Sequence, residues 1–194
     1  MRTTARIMAC TGMATLLLGT AVPSAAQDAN ADVLKALDEA IPGTFIHDPL
    51  AMDWATGGKG VKAKVVAADA LMTGEAIQVK TKKKQANGWD ATLTATVTEP
   101  ISEGDRIAVL YYVRTATPPK GEEAADLAMF LGRNVEPYDT VVWNEFRPST
   151  EWEMKQVVGT AKADFPADEI KMEYHLGRAA QTVEFGPIFI SRLD

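Results

Sequence analysis

Cysteine is almost missing from this chain: Cys10 is the only one in 194 residues. A lone cysteine excludes an intrachain disulfide, so the hydrophobic core must hold the fold. Histidine is nearly as scarce, and neither His47 nor His175 sits in a histidine-rich metal-ligand spacing. Ser102, Ser149 and Ser191 lie in turns or near the chain end, none within a Gly-x-Ser-x-Gly elbow. The glycine-rich stretch Thr56 to Gly60 lacks the Lys-Ser/Thr ending and the strand–loop–helix setting of a phosphate loop, which excludes nucleotide binding there. Positive charge is in the minority, with 20 Lys and Arg against 26 Asp and Glu and a net charge of −6. Such a surface repels phosphate backbones and argues against a nucleic-acid partner. The acidic residues are too many for any pair to stand out as an acid/base couple, so the sequence offers no independent catalytic constellation.

The longest apolar run, Ile7 to Val22, is diluted by Ala, Gly and Thr and reads as a leader rather than a membrane span. Arg2 and Arg6 precede it, and Ser24-Ala25-Ala26 supplies small residues where a signal peptidase reads, predicting cleavage after Ala26. A lipid-modified Cys10 is disfavoured because almost no hydrophobic stretch precedes it. The expected organisation is a signal peptide over 1–26, a helical lead-in over 27–43 and a single β domain over 44–194, exported to the periplasm or beyond. Without Arg2 and Arg6 the basic count falls to 18, giving a net charge of −8.

Within the lead-in, Val33, Leu34, Leu37 and Ala40 fall on one helical stripe, Asp28 or Asn30 can cap its start, and Pro42-Gly43 stops it. Beyond it the period changes to two. Ala91, Leu93, Ala95 and Val97 alternate with Thr92, Thr94 and Thr96, as in a strand with one buried face. Glu99-Pro100 ends that strand and Ser102 to Asp105 is turn chemistry. Ile107 to Val113 is apolar on both faces and predicts a central strand. Val61 to Ala67, Glu75 to Lys82, Leu127 to Leu131, Tyr138 to Phe146 and Trp152 to Lys162 are further strands. So are Ile170 to Leu176, with Lys171, Glu173 and His175 on its outer row, and Gln181 to Ile190, interrupted by Gly186-Pro187. Lys82-Lys83-Lys84 reads as a solvated edge or loop. About nine short strands joined by turns, behind one short helix, predict an all-β antiparallel sandwich or jelly roll.

Aromatic residues are the strongest functional signal. Trp54, Trp89, Trp143 and Trp152 join Tyr111, Tyr112, Tyr138 and Tyr174, more than packing requires. Sugars stack their C–H faces on such rings while carboxylates, amides and arginine satisfy the hydroxyls. Parity places Trp152 and Tyr174 with aliphatic residues, which favours the core. It places Trp143 on a face with Asp139, Val141 and Glu145, suiting a groove. Tyr112 and Arg114 share a face of the central strand, where the arginine needs either a ligand or a carboxylate such as Glu145 or Glu184.

Gly88-Trp89-Asp90-Ala91-Thr92-Leu93, Glu103-Gly104-Asp105 opening a strand that ends Tyr112-Val113-Arg114, Trp152 after a turn, Tyr174-His175-Leu176-Gly177 and Gln181 to Pro187 together resemble one family. It is the galactose-binding-domain-like jelly roll, in the cellulose- and xylan-binding module type found beside xylanases and carbohydrate esterases. The resemblance runs over roughly residues 44–193. It implies a non-catalytic module that binds polysaccharide or oligosaccharide. Tyr112, Arg114 and Trp143 would line a concave face, with Trp89 at its rim; Glu145 shares the Trp143 face and joins the candidates. It implies structural roles for Gln181 and Glu184. It implies no organic cofactor and leaves room for a structural calcium, although no dense Asp/Asn cluster claims one. The competing readings are an envelope module that binds another secreted protein and a glycan-active hydrolase or esterase of unfamiliar design.

Overall fold

The computed structural model describes residues 25–194, with side chains from Asp32 onward. The leader reading therefore falls almost wholly outside the described residues. Helix α1 (Ala25–Ala40) is followed by strands β1 (Thr44–Phe45), β2 (Ala55–Gly57), β3 (Val61–Ala67), β4 (Glu75–Thr81), β5 (Thr92–Ala95), β6 (Arg106–Thr117), β7 (Leu127–Arg133), β8 (Thr140–Phe146), β9 (Glu153–Thr160), β10 (Ile170–His175) and β11 (Gln181–Leu193). They form an antiparallel β-sandwich. One sheet runs β3-β4-β11-β6-β9 with β1 added to β11, and the other runs β2-β5-β10-β7-β8. The two strands beyond the nine expected are β1 and β2, too short to show a period.

The alternation in the sequence is reproduced in burial. Ala91, Leu93, Ala95 and Val97 face the core, as do Ile170, Met172, Tyr174 and Leu176. In β6, one strand in from the edge, Ile107, Val109, Tyr111 and Val113 point between the sheets. Its other row is also shielded: Ala108 is buried and Leu110 and Tyr112 are half-buried, beside α1 and the 68–74 loop. That cover explains an apolar run on both faces of a strand in a two-layer protein.

The segment before β2 is fixed to the long closing strand by His47. Its Nε2 lies 2.9 Å from the Ile188 carbonyl, and the Ile190 N–H lies 3.4 Å from its Nδ1. Burial pushes this imidazole below its ordinary pKa, so it sits neutral, donating through one nitrogen and accepting through the other.

Two expectations are corrected. In α1 only Leu37 of the predicted stripe is buried; Val33, Leu34 and Ala40 are exposed, because among the described side chains the helix meets the six-stranded sheet near its C-terminal end. Trp152 does not enter the main core either. It packs outside the six-stranded sheet on a separate cluster of Ala68, Leu71 and Ala76, while Met154 and Val158 of the same row are exposed.

Candidate functional site

The outer face of the five-stranded sheet carries the site, and its rows follow from strand register. Directly paired residues share a face, so Gly57, Thr92, His175, Ala128 and Glu145 form one row across four neighbouring pairs. Ala55, Thr94, Glu173, Phe130 and Trp143 form the next. Between them lies a cleft of about 680 Å³, bordered by Gly57 and Gly58, Trp89, Phe130, Asn134 and Tyr138. That volume is in the range of sites for small ligands.

Trp89 arrives from the short 3₁₀ turn Gly88–Asp90. The Asp90 carboxylate accepts the Asn87 N–H at 2.8 Å, and the turn is stitched to the end of β10 by Gly177 N–H to Gly88 O (2.8 Å) and Leu176 N–H to Ala91 O (2.7 Å). Trp143 projects from β8, an edge strand. Both indoles meet the His175 ring edge-to-face, Trp143 with centroids 5.4 Å apart and Trp89 at 6.3 Å, while Phe130 lies nearly parallel to it at 6.1 Å. His175 is thus buried to 7% exposure, whereas Trp143 and Trp89 keep 46% and 61%. The outer row of β10, expected to be solvated, is covered by rings from three other segments.

Beneath the rings the polar groups satisfy one another. Glu173 Oε2 lies 2.9 Å from Lys171 Nζ and 3.4 Å from His175 Nε2, and Thr94 Oγ1 donates to Oε1 at 3.4 Å. Burial alone would raise the Glu173 pKa, but the bonds and charges of His175 and Lys171 together hold it below the usual carboxylate value. At the β8 side Arg178 grips Glu145 through two contacts, 3.0 and 3.2 Å, and reaches Asp126 at 2.8 Å. Two close approaches require glycine: a Cβ on Gly57 would sit 2.5 Å from Thr92 Oγ1, and one on Gly132 would meet the Phe130 ring at 2.8 Å.

The five sequence candidates do not form one site. Trp89, Trp143 and Glu145 are together on the five-stranded sheet. Tyr112 and Arg114 belong to β6, on the outer face of the other sheet. The expectation that Tyr112, Arg114 and Trp143 line one concave face is therefore corrected. Arg114 Nε binds Glu184 Oε2 at 2.6 Å, and Glu145 is paired to Arg178 instead. Gln181 is structural as expected, exchanging bonds of 2.8 and 2.9 Å with the Asp126 backbone. His175, Glu173, Lys171 and Phe130 are the site residues that sequence reasoning missed. Their outward parity was visible, but the rings that cover them come from remote segments. Among the described residues no group of three or more His, Cys, Asp or Glu side chains is placed to hold a metal ion. No described helix is long and apolar enough to cross a membrane.

No family model matches the sequence, and no curated protein does. Solved structures match over most of the chain. The second N-terminal cellulose-binding domain of β-1,4-glucanase C from Cellulomonas fimi aligns with a TM-score of 0.55 at 19% identity, covering 79% of this chain and 94% of that one. The CBM22-1 xylan-binding domain of Xyn10C from Paenibacillus barcinonensis gives a TM-score of 0.52 at 15% identity, over 79% and 97%. An arabinose-bound GH51 α-L-arabinofuranosidase gives 0.56 at 11% identity, but only 27% of its length is involved. The chain has the β-sandwich fold of cellulose- and xylan-type carbohydrate-binding modules.

Proposed function

We propose that this protein is an exported, non-catalytic carbohydrate-binding module whose site is the cleft on the five-stranded sheet. Trp143 and Trp89 would stack on the C–H faces of an oligosaccharide or polysaccharide segment, while Asn134, Lys171, Tyr138 and the threonines of β5 meet its hydroxyls. The observation that carries the reading is two strongly exposed indoles packed edge-to-face on His175, with Trp89 and His175 lining a polar-floored cleft and Trp143 beside it. The fold it shares with modules named for cellulose and xylan supports it. So open a site suits weak binding, with Kd between about 1 μM and 1 mM, or roughly 4 to 8 kcal/mol.

The test is affinity electrophoresis or polysaccharide pull-down of the protein with neutral β-glucans and xylans. Trp143→Ala should weaken retention at least tenfold while leaving thermal unfolding unchanged. Tyr112→Ala, on the opposite sheet, should leave retention intact. Equal loss in both variants would sink the assignment of the face. A second surface favours the protein-partner reading: an apolar groove of about 550 Å³ between α1 and the six-stranded sheet, beside exposed Met72 and Met154. Retention on no glycan by a well-folded protein would move the function there.

A further inference from the structure

The outer face of the six-stranded sheet carries a feature unrelated to the cleft. On it, register aligns Lys64, Gln78, Glu184 and Arg114 in one row and Lys62, Lys80, Thr182 and Thr117 in the next. These strand positions hold four cations and one carboxylate, within a chain whose net charge is −6. A polar depression of about 580 Å³ lies over the β4, β11 and β6 part of these rows, lined in part by Gln78, Lys80, Arg114, Thr182 and Glu184, with Lys62 and Lys64 on the neighbouring edge strand β3.

Arg114 is fixed at the inner side of this depression. Its Nε donates to Glu184 Oε2 at 2.6 Å, and its guanidinium carbon sits 4.9 Å from the centre of the Trp152 ring. Glu184 is itself held by Gln78 Nε2 at 2.7 Å and is 5% exposed. Among the described residues Nε is the guanidinium nitrogen with a hydrogen-bond partner, so the two terminal nitrogens remain available as a planar fork. A guanidinium immobilised on an aromatic face and by a back-side carboxylate is preorganised for bidentate capture of a second carboxylate. Lysines guard edge strands against pairing, which accounts for Lys62 and Lys64 on β3. It does not account for Arg114, which lies three strands across the sheet from β3 on β6, a strand paired on both sides.

We propose that this face is a second binding site, for the carboxylates of a uronate-bearing polysaccharide, with Arg114 as the fork and Lys64, Lys80 and Lys62 as a flanking cationic track. The choice of a glycan as the polymer rests on the carbohydrate-binding reading. The charge arrangement does not depend on it.

The probe is polygalacturonate in affinity electrophoresis at low ionic strength, with neutral xylan and single-stranded DNA run in parallel. The wild-type protein should be retarded by polygalacturonate and released as salt approaches about 1 M, where screening acts over about 3 Å. Lys62→Gln/Lys64→Gln/Lys80→Gln, all at exposed positions, should weaken that retardation at least tenfold and leave neutral-glycan retention unchanged. Arg114→Lys should weaken it severalfold while keeping the charge, because the fork is lost; unfolding midpoints identify any variant that simply fails to fold. Trp143→Ala should leave polygalacturonate retention intact, so failure of the cleft and failure of this face are read separately. No retardation of the wild type, a lysine triple variant that still binds, or equal retardation by DNA would each overturn the proposal.

Discussion

Two buried tyrosines meet in the core with ring centroids 5.5 Å apart, and their hydroxyls have different fates. Tyr111 accepts a hydrogen bond from Asn144 Nδ2 at 3.2 Å, and burial pushes its pKa up to about 12. The Tyr174 hydroxyl, fully buried, has no partner among the described residues, and burial raises its pKa as well. An unpaired buried hydroxyl costs about 1–3 kcal/mol of desolvation that nothing returns. Tyr174→Phe should therefore stabilise the protein, by about 1 kcal/mol, in urea unfolding followed by tryptophan fluorescence. A loss of stability would mean that the hydroxyl has an ordered water as partner. Tyr174 was legible as a core residue because its row, Ile170, Met172 and Leu176, is apolar. Its neighbour His175 was not, since the next row reads Lys171, Glu173, His175 and looks solvated. Its burial depends on Trp89, Phe130 and Trp143, none within thirty positions of it.

At the scale of elements, α1 is the least committed part of the described fold. Among its described side chains only Leu37 is buried, against a sheet face that keeps an open apolar groove beside it. Leu→Ala in a full core costs about 2–5 kcal/mol; with so little of the helix engaged, the lower end applies and the cost falls on docking rather than on the sandwich. Leu37→Ala should raise amide exchange along α1 about thirtyfold, the equivalent of about 2 kcal/mol, while β6 and β11 amides keep their protection. Loss of protection in β11 would show instead that the helix clamps the closing strand. Strand identity was readable element by element in β5, β6 and β10 because each has a clean period. Sheet membership was not: nothing local distinguishes Tyr112 on β6 from Trp143 on β8, and only pairing with β11 or with β7 sends them to opposite sides of the sandwich. The same ambiguity left Arg114 with two candidate partners until β11 placed Glu184 directly opposite it.

For the whole molecule, what matters is that the two surfaces face away from each other. Packed sheets lie about 10 Å apart, so a ligand on one outer face leaves the other free. On the two proposed assignments, one protein molecule would hold a neutral glycan segment through Trp89 and Trp143 and a uronate segment through Arg114 and its lysines. Polymers present many copies of each segment, which turns a two-faced monomer into a cross-link whose strength exceeds that of either weak contact. Mixing the protein with xylan and polygalacturonate together should raise turbidity or viscosity well above either polymer alone. The increase should disappear in Trp143→Ala and in Lys62→Gln/Lys64→Gln/Lys80→Gln, and should collapse at high salt because only one of the two contacts is ionic. If each polymer is bound but the mixture stays fluid, occupancy of one sheet must exclude the other, and the two faces are coupled through the shared core. If one polymer alone is cross-linked, the active unit is an oligomer.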